Sequence, residues 1–347
     1  MNFLFYLGHP AHFHLFKNVI LKLKEREHKI LITAKNKDVL HDLLDSSGFS
    51  FINILSDSQN KGFTSIITST IEKANNLTRI IKKFKPNLMI GTSAEIGLVG
   101  KRHGIKSIFV TEDDWDADPL LSFFTFPFAS AILAPKSCRV AIWGYKRISY
   151  SGYHELAYLS PQYFKPNRSK VEKLFKNKQK YFLIRLASLT AHHDIGMEGL
   201  TERLVTNIIN ILEPYGDIYI ISERPLEKSL QSYRIQIPPE DIHHALYYAD
   251  LYLGDSQTMA AEAAILGTPS IRYNDFVNKI GYLDELEFKY KLTFGIPTHK
   301  TSDLYSKIKN IVKQDQNQST QEKRLKKMLD EQIDIVDFFV KQFENFK

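Results

Sequence analysis

A polar turn that opens an alanine-rich helix is the stretch of this sequence whose spacing points most clearly to chemistry. Residues 254–273 read GDSQTMAAEAAILGTPSIRY, and the pattern predicts a helix that begins near Ser256. The first amides of a helix have no partner within it, and the helix dipole favours an anion at that end. We therefore predict a site for a phosphate or diphosphate group. Its members are Asp255, Ser256, Gln257 and Thr258.

A single carboxylate, Glu262, lies one turn into the same helix. Helix side chains lean toward the N-terminus, so this carboxylate can accept hydrogen bonds from two adjacent hydroxyls, such as those of a ribose. The alternative is a capped helix in which Glu262 is solvated or complements the helix dipole. Neither a Walker pattern nor G-x-G-x-x-G occurs here, which disfavours an ATP-type loop and a dinucleotide site. The hypothesis is a nucleotide held by its phosphates and its ribose.

Two arginines lie at the ends of neighbouring predicted strands in the same half of the chain. Arg185 lies in the strand YFLIRL, and Arg224 lies in SERP after the strand DIYIIS. A guanidinium suits diphosphate oxygens because its donors form a rigid fork, so we expect both arginines to flank the diphosphate. His192 and His193, in the loop after the strand of Arg185, are further binding candidates. Ile237 is another, because it precedes a helix whose first turn can border a base.

The loop LGHPAHFHLFKN places His9, His12 and His14 beside the start of the first predicted helix. The spacing H-x-x-H-x-H is no recognised metal pattern and no cysteine lies nearby, so we expect no metal site. A histidine in such a loop can act as an acid, a base or a donor to phosphate. At least one of the three is expected to satisfy loop carbonyls instead. His12 and His14 are candidates for a catalytic base, and His9 is a candidate for substrate binding.

Glu112 is the first carboxylate of the acidic stretch TEDDWDAD and ends another predicted strand. Clustered carboxylates can bind a metal, shift one another's pKa or stay solvated. The position at the strand end favours acid–base chemistry for Glu112, whereas Asp116 and Asp118 are expected to be solvated. Glu112 is therefore the third candidate for the catalytic base.

Short apolar runs that alternate with amphipathic helices must position these residues. Continuous apolar strands of this kind indicate a parallel sheet covered on both faces, which is the doubly wound α/β class. Ligands of such sheets bind beyond the carboxyl ends of the strands. The predicted strands are Phe3–Gly8, Lys29–Ala34, Phe51–Leu55, Asn87–Thr92 and Ser107–Glu112 in the first half, and Tyr181–Leu186, Asp217–Ser222, Asp250–Asp255 and Pro269–Tyr273 in the second.

The α/β pattern breaks between Ser149 and Arg168, a stretch rich in Pro, Gly and Tyr. We predict two Rossmann-like domains, an acceptor or catalytic domain over 1–155 and a nucleotide-binding domain over 168–315. Residues 318–347 are predicted to form one long helix that packs on the first domain. A capping box at Ser319–Glu322 marks its start.

Composition places the chain among soluble globular proteins. Of its 347 residues, 43% are hydrophobic and 24% are charged, and one cysteine, Cys138, excludes an intrachain disulfide. The longest uncharged run, Pro119–Pro135, is shorter than a membrane span and contains Pro127. No basic and apolar leader precedes the first strand, and we expect a cytoplasmic protein.

The net charge of +7 has two explanations. The lysines are spread along the chain, which is typical of a solvated surface, and no basic, aromatic strip indicates nucleic-acid binding. The alternative is contact with an acidic membrane face or a phosphate ligand. The aromatic run Phe123–Phe128 raises the same choice. Packing in the core or at a domain interface is the ordinary interpretation, and peripheral contact with an anionic membrane is the alternative.

These motifs carry a resemblance to known families. The turn and Glu262 resemble the aspartate–serine–glycine–glycine turn and final glutamate of hydrolysing UDP-GlcNAc 2-epimerases, which implies diphosphate on Ser256–Thr258 and ribose on Glu262. Longer motifs resemble a family of archaeal and bacterial proteins of undefined activity in the same superfamily. They are HPAHFHLFK, EDD, GYHELAYL, AHHDIG, SERPL, PPEDIHHALYYADL and GDSQTMAAEAAILGTP. The resemblance covers most of the chain and implies a GT-B fold, with two Rossmann-like domains facing a cleft and a C-terminal helix that crosses back to the first.

The sequence also departs from the epimerase pattern. His9 stands where the epimerases carry an arginine, and Thr92 follows Gly91 where they have an aspartate assigned to acid–base work. Glu112 resembles a catalytic glutamate of the epimerases, and His192 or His193 is similar to their second-domain histidine. The missing aspartate and arginine favour glycosyl transfer, which needs a single base and a positively charged diphosphate site.

The resulting hypothesis is a metal-independent GT-B glycosyltransferase, without a cofactor, that uses a UDP-sugar to build a cell-surface polysaccharide or glycolipid. Its partners are the nucleotide-sugar donor and a glycan or lipid-linked acceptor, and the epimerase relatives suggest a homodimer. One alternative is a UDP-HexNAc 2-epimerase that uses Glu112 and a second-domain histidine. Another is a non-catalytic protein that binds sugar nucleotides.

Overall fold

The chain divides into two compact units. A computed structural model describes residues 1–35, 38–54, 63–175, 180–187, 199–313 and 317–346. The first unit comprises Met1–Tyr158 and Ile333–Lys347, and the second comprises Leu159–Gln332. Their boundary falls within the Pro-, Gly- and Tyr-rich stretch that the sequence predicts as a connection. Each unit contains its own parallel sheet with helices, as predicted for a Rossmann-like α/β architecture.

The first unit is built on a seven-stranded parallel sheet in the order β3-β2-β1-β4-β5-β6-β7. Its strands are β1 (Asn2–Leu7), β2 (Lys29–Ala34), β3 (Phe51–Asn53), β4 (Leu88–Gly91), β5 (Lys106–Val110), β6 (Ala131–Pro135) and β7 (Arg147–Tyr150). The central strands are almost entirely buried, which is why they read as unbroken apolar runs. The sequence analysis missed β6 and β7, because β6 ends a long uncharged run and β7 contains two polar residues.

Helices cover the faces of this sheet. They are α1 (Pro10–Glu25), α2 (Asp38–Ser46), α3 (Phe63–Phe84), α4 (Ala94–His103) and α5 (Pro119–Thr125), followed by a 3₁₀ helix (Ala141–Lys146) and by α6 (Leu156–Leu159) at the boundary between the units. The start of α1 follows from its sequence: the His9 side chain caps it and Pro10 occupies its first position. The loop after β1 therefore runs directly into a helix at the carboxyl edge of the sheet.

The second unit is built on a five-stranded parallel sheet in the order β12-β11-β10-β8-β9. Its strands are β8 (Tyr181–Leu186), β9 (Asp217–Ser222), β10 (Leu251–Gly254), β11 (Ser270–Tyr273) and β12 (Thr293–Ile296). Its helices include α7 (Arg168–Leu174), α8 (Glu202–Leu212), α9 (Ile242–Tyr248), α10 (Gln257–Ile265), α11 (Gly281–Asp284), α12 (Thr301–Lys313) and α13 (Asn317–Glu331). In the central register, Gly254 lies opposite Arg185 on one side and Arg272 on the other. The sheet thus places both arginines beside the turn that opens α10.

The C-terminal tail differs from the prediction of one long helix. It forms α13, which belongs to the second unit, and α14 (Ile335–Asn345), which belongs to the first. Ser319 is the third residue of α13 and does not cap it. The missed break is marked by Asp334, whose side chain caps α14 by accepting a hydrogen bond from the Asp337 amide at 3.1 Å.

The last helix is an integral part of the first unit. Phe339 packs edge-on against Tyr150 of β7, with ring centroids 5.3 Å apart, and Phe343 lies 6.1 Å from Phe5 of β1. An ion pair of 2.7 Å between Arg26 and Glu344 lies at the surface beside this apolar contact. The predicted return of the C-terminus to the first domain is confirmed, and burial of the apolar stripe drives it.

Substitution of Gly152 tests this docking. Its φ of 153° is unfavourable for residues with a side chain, and a β-carbon built there would lie 2.3 Å from Cδ1 of Ile335 in α14. We expect Gly152→Ala to lower the free energy of unfolding by about 2 kcal/mol, measured by urea denaturation. Gly144→Ala is the matched control, because no atom lies within 4 Å of its added carbon. Equal stability of the two variants would contradict the docking as described.

Candidate functional site

The start of α10 offers unused backbone donors. Ser256 caps the helix, and its hydroxyl accepts a hydrogen bond from the Met259 amide at 3.4 Å. Helix geometry leaves the two preceding amides, of Gln257 and Thr258, without an intrahelical acceptor. The alanines that follow are fully buried, so the helix packs closely against its neighbours and its start cannot shift easily. The predicted anion-binding geometry is therefore present at this helix.

A buried hydrogen-bond network holds the start of α10 in place. Arg272 donates to the Gln257 side-chain carbonyl at 3.3 Å and to Glu287 at 2.7 Å. The Gln257 amide group donates to Asn274 at 3.0 Å, and Asn274 donates in turn to the backbone carbonyl of Asp255 at 3.2 Å. The side chain of Gln257 is thus committed to the scaffold, and only its backbone amide is suited to a ligand. Sequence reasoning missed the other members, although polar residues at the end of the apolar strand PSIRY were a usable signal.

Arg272 is the central member of this network. Its side chain is fully buried, and burial lowers its pKa while Glu287 opposes that shift. Burial also raises the pKa of Glu287, which is opposed by Arg272 and by a hydrogen bond from the Gly295 amide at 2.9 Å. Glu287 lies in a π-helical turn (Glu285–Lys289), an uncommon conformation that is frequent at functional sites. Loss of either partner would leave a buried charge unpaired, which costs about 3–5 kcal/mol.

Arg185 lies at the carboxyl end of β8 beside the same turn. Its guanidinium pairs with Glu223, and among the described residues its Nε has no hydrogen-bond partner. The Tyr252 side chain runs along the sheet toward the strand end, with its hydroxyl near Arg185 and Ser256. Gly254 is required there, because a β-carbon would approach the Tyr252 hydroxyl to 2.5 Å. The structure therefore brings together a guanidinium and the capped helix start, as predicted.

Asp255 and Arg224 lie at this edge but have structural partners. The Asp255 carboxylate is buried, accepts a hydrogen bond from the Ala187 amide at 2.6 Å and lies 3.6 Å from Arg224. Burial raises its pKa, and Ala187 and Arg224 oppose that shift. Arg224 also donates to the backbone carbonyl of Leu200. The pair ties the loops after β8 and β9 to β10, so Asp255 supports the predicted site from within.

Glu262 has a partner that the sequence analysis did not identify. Its side chain is buried, and Oε1 lies 3.0 Å from Nε2 of His243 in the first turn of α9. The alternative of a solvated Glu262 is therefore wrong, because the helix packs its polar position against α9. His243 belongs to the motif PPEDIHHALYYADL, in which only the general position of a base contact was predicted.

The remaining binding candidates of the second unit contribute less to this geometry. Ile237 is partly buried and precedes a short 3₁₀ helix (Pro239–Asp241) that leads into α9. His192 and His193 lie outside the described residues.

In the first unit, two of the loop histidines shape the start of α1. His9 is exposed and its Nδ1 accepts a hydrogen bond from the Ala11 amide at 3.2 Å. Nδ1 of His12 accepts from the Gly8 amide at 3.1 Å, which requires the neutral ring with its proton on Nε2. The Thr92 hydroxyl lies 2.8 Å from the same nitrogen. His12 therefore joins the ends of β1 and β4.

His14 lies further along α1 and is partly buried. Its ring stacks on Tyr158, with centroids 5.2 Å apart and an interplanar angle of 29°. Tyr158 belongs to the segment GYHELAYL, in which the backbone amide of His154 donates a hydrogen bond to Glu112. The three predicted base candidates thus lie on the same carboxyl edge of the first sheet.

Glu112 is held by a residue that the sequence analysis quoted without assigning a role. Its Oε2 accepts a hydrogen bond from the His154 backbone amide at 3.1 Å, and Nδ1 of His154 lies 3.5 Å away. The Glu112 side chain is 15% exposed, so it is oriented but reachable. Burial lowers the pKa of His154 to about 3, which keeps its ring neutral near pH 7. His154 thus positions Glu112 and does not exchange protons at that pH.

A second carboxylate, Glu95, follows β4. It is buried, lies 2.6 Å from Nζ of Lys73 and accepts a hydrogen bond from the Ser93 hydroxyl. Burial raises the pKa of Tyr6, and the nearby negative charge of Glu95 raises it further, whereas a hydrogen bond with Ser93 lowers it. A carboxylate with an ammonium partner and almost no exposure is a scaffold element, and it does not replace the aspartate missing at Thr92.

The acidic stretch after Glu112 contains structural residues. Asp114 is buried and pairs with Arg139 at 3.0 Å, and the exposed Asp116 contacts the same guanidinium at 3.1 Å. Asp118 caps α5 by accepting a hydrogen bond from the Leu121 amide at 3.1 Å. The prediction of a simply solvated Asp118 is therefore wrong, because the helix start recruits it. No group of three or more possible metal ligands is present in the described ranges.

The two Rossmann-like α/β units have the architecture of a GT-B fold. The family model for "Protein of unknown function (DUF354)" matches residues 4–344, and the chain belongs to this family. This match confirms the resemblance inferred from the motifs. No curated protein has significant sequence similarity to the chain.

Solved structures of sugar-nucleotide enzymes share the fold. A putative UDP-N-acetylglucosamine 2-epimerase from Listeria monocytogenes has a TM-score of 0.72 at 11% identity and covers 100% of this chain and 97% of its own. The UDP-GlcNAc 2-epimerase from Methanocaldococcus jannaschii has a TM-score of 0.68 at 15% identity, with 100% of both chains covered. The spinosyn rhamnosyltransferase SpnG in complex with thymidine diphosphate has a TM-score of 0.67 at 10% identity and covers 99% of this chain and 100% of its own. At these identities the likeness establishes the fold alone.

The buried His154 predicts a specific dependence of stability on pH. Burial lowers its pKa from 6.5 in the unfolded chain to about 3 in the folded chain. Between these two pH values the unfolded chain therefore binds a proton that the folded chain does not. The contribution of the neutral His154 to the free energy of unfolding is fully present above pH 6.5 and is lost as the pH falls, by up to about 1.4 kcal/mol per pH unit. We expect urea denaturation between neutral pH and about pH 5.5 to show this loss in the wild type and about 1 kcal/mol less loss in His154→Gln. Equal losses in both proteins would contradict a buried neutral His154.

Proposed function

We propose that this protein is a glycosyltransferase that uses a nucleotide-activated sugar, with a UDP-sugar as the donor. The observation that carries the proposal is the supported start of α10, with two unused amides next to the strand position that pairs with Arg185. Amides, a helix dipole and a guanidinium together favour the diphosphate of an activated sugar. A protein of the same fold, the rhamnosyltransferase SpnG, was solved with thymidine diphosphate.

The donor is assigned to the second unit. Its diphosphate accepts hydrogen bonds from the amides of Gln257 and Thr258 and from the guanidinium of Arg185, which now pairs with Glu223. A phosphate group competes with Glu223 for this guanidinium and has the advantage of the helix amides. The ribose hydroxyls are assigned to Glu262, whose carboxylate His243 orients.

The catalytic base is assigned to the first unit, with Glu112 preferred over His12 and His14. Nδ1 of His12 is committed to the Gly8 amide, whereas the Glu112 carboxylate is both held and reachable. In the proposed reaction Glu112 takes the proton of an acceptor hydroxyl, and the acceptor oxygen attacks the anomeric carbon. The bond from that carbon to the diphosphate breaks, and the nucleoside diphosphate leaves with its charge stabilised at α10.

We prefer glycosyl transfer to epimerisation because the first unit lacks, at the end of β4, the second acid–base carboxylate that the epimerases carry. Thr92 stands where the resemblance predicts an acid–base aspartate, and the neighbouring carboxylate of Glu95 is buried against Lys73. At the end of β5, by contrast, Glu112 is held by the His154 amide and is partly exposed. The acceptor in this proposal is a glycan or a lipid-linked sugar, and the product a cell-surface polysaccharide or glycolipid.

A 2-epimerase is the second candidate function. The held carboxylate of Glu112 favours it, because that residue resembles the catalytic glutamate of the epimerases. This reaction removes the proton at C2 of the sugar and eliminates UDP, so it is distinguished by exchange of that proton with solvent.

The donor site predicts opposite effects for two neighbouring substitutions. Arg185→Gln removes the guanidinium and should weaken UDP binding about tenfold or more. Glu223→Gln removes the competing carboxylate and should strengthen UDP binding about two- to fivefold. Isothermal titration calorimetry with UDP measures both. Unchanged affinity for UDP in the two variants would show that the diphosphate does not bind at this position.

The reaction class is tested by NMR on purified enzyme with a panel of UDP-sugars in D₂O and no acceptor. A transferase should bind one sugar, release UDP slowly and leave the C2 proton unexchanged. Glu112→Gln should reduce that release at least about tenfold, whereas Asp116→Asn, a change in an exposed carboxylate of the same loop, should not.

Other results of this experiment favour the alternatives. Deuterium at C2 that is lost in Glu112→Gln would establish the epimerase. Binding without turnover, with Glu112→Gln changing affinity alone, would identify a non-catalytic binding protein. Absence of binding to every UDP-sugar would contradict the proposal.

A further inference from the structure

Exposed apolar side chains form a patch on the first unit. The patch consists of Leu120, Leu121, Phe123 and Phe124 of α5 and of Ile142 and Tyr145 of the 3₁₀ helix Ala141–Lys146. Phe124 is 63% exposed, Ile142 78% and Tyr145 80%. The predicted packing of the aromatic run in the core or at a domain interface is confirmed as core packing for Phe126, which is buried, whereas Phe123 and Phe124 are exposed.

The two short helices of the patch are joined rigidly. Phe123 packs edge-on against the buried Trp143, with ring centroids 5.2 Å apart, and Phe126 packs against the same indole at 5.3 Å. The Lys146 ammonium donates to the carbonyls of Phe126 and Ala129, at 3.1 and 2.9 Å. Each helix thus has a buried anchoring face and a separate exposed apolar face. The exposed residues form a persistent surface, of a kind that monomeric proteins seldom leave without a partner.

The charge around the patch is basic. Residues 119–147 contain four basic residues and no acidic residue. Lys101 of α4 joins them, with its ammonium 5.3 Å from the centroid of the Phe128 ring beside the patch. One of the four, Arg139, pairs with the preceding carboxylates Asp114 and Asp116, and Asp118 caps α5. The basic character therefore comes from Lys101, Lys136, Lys146 and Arg147.

We propose that this patch docks on the surface of an anionic lipid bilayer. Aromatic and branched apolar side chains enter the boundary between headgroups and acyl chains, and the surrounding lysines and arginines attract anionic headgroups. A second copy of the chain fits less well, because a two-fold interface would bring the same basic residues face to face. In the described part of the chain no helix is both long and apolar enough to cross a membrane.

This inference rests on the exposed patch and its charge, and it is independent of the nucleotide-sugar proposal. Its consequence for that proposal is the acceptor: a protein docked in this way would meet a sugar acceptor carried on a lipid.

Vesicle flotation with the full-length chain tests the docking. The wild type should float with vesicles of phosphatidylglycerol and phosphatidylcholine, and much less with phosphatidylcholine alone. The double variant Phe124→Ser with Ile142→Ser should bind anionic vesicles about tenfold or more weakly, and Lys101→Gln about fivefold more weakly. Phe288→Ser is the matched control, since Phe288 is equally exposed, at 63%, in the second unit. Thermal melting verifies that all variants remain folded.

Several outcomes would overturn the proposal. These are a wild type that fails to float with anionic vesicles, a double variant that floats as well as the wild type, and a Phe288→Ser variant that loses binding equally. Gel filtration adds a further readout. A wild-type dimer that does not float, and that the double variant converts to a monomer, would identify the patch as an interface between copies of the chain.

Discussion

The buried ion pair between Arg272 and Glu287 is the interaction on which the candidate donor site depends. It is costly to desolvate, so both groups need further hydrogen bonds, and Arg272 finds one in the side chain of Gln257. That bond orients the first residue of α10, and Asn274 connects it to the backbone of Asp255. The amides of the helix start are therefore held in place before any ligand arrives, which lowers the entropic cost of binding an anion.

The two units use a similar construction at their sheet edges. Tyr6 of β1 and Tyr252 of β10 each run along the sheet toward the strand end, and each is followed two residues later by a glycine that leaves it space. The hydroxyl of Tyr6 lies near Ser93, and that of Tyr252 lies near Ser256. The polar groups beyond these strands thus rest on buried aromatic supports. The two sheets differ in strand number but share this support at a central strand.

The two units present groups of opposite charge at their strand ends. The second unit gathers guanidinium groups and helix amides, which suit an anion, whereas the first holds the Glu112 carboxylate, which suits proton transfer, with His154 as its support. The structural neighbours share only the fold, so the proposed transferase rests on the start of α10 beside Arg185 and on the held carboxylate of Glu112. The basic, apolar patch on the first unit adds a reason to expect acceptors that are carried on lipids.

The sequence by itself determined the α/β class, the strand ends that carry chemistry, the helix start at Ser256 and the candidate carboxylate Glu112. These features depend on local periodicity and capping, which neighbouring residues specify. The tail was misjudged because a continuous apolar stripe hid the break that Asp334 caps. Phe123 and Phe124 were misjudged because composition does not tell which face of a short helix remains exposed.

Only the tertiary structure decided which partner each polar side chain has. Arg272 reaches Gln257 and Glu287 across 15 residues each, His243 reaches Glu262 across 19, and Lys73 reaches Glu95 across 22. The order of strands and the docking of helices on them set these pairings, and neither is encoded in a local pattern. The sequence therefore determined where the reactive groups would lie along the chain, and the fold decided which of them became supports and which stayed available to a ligand.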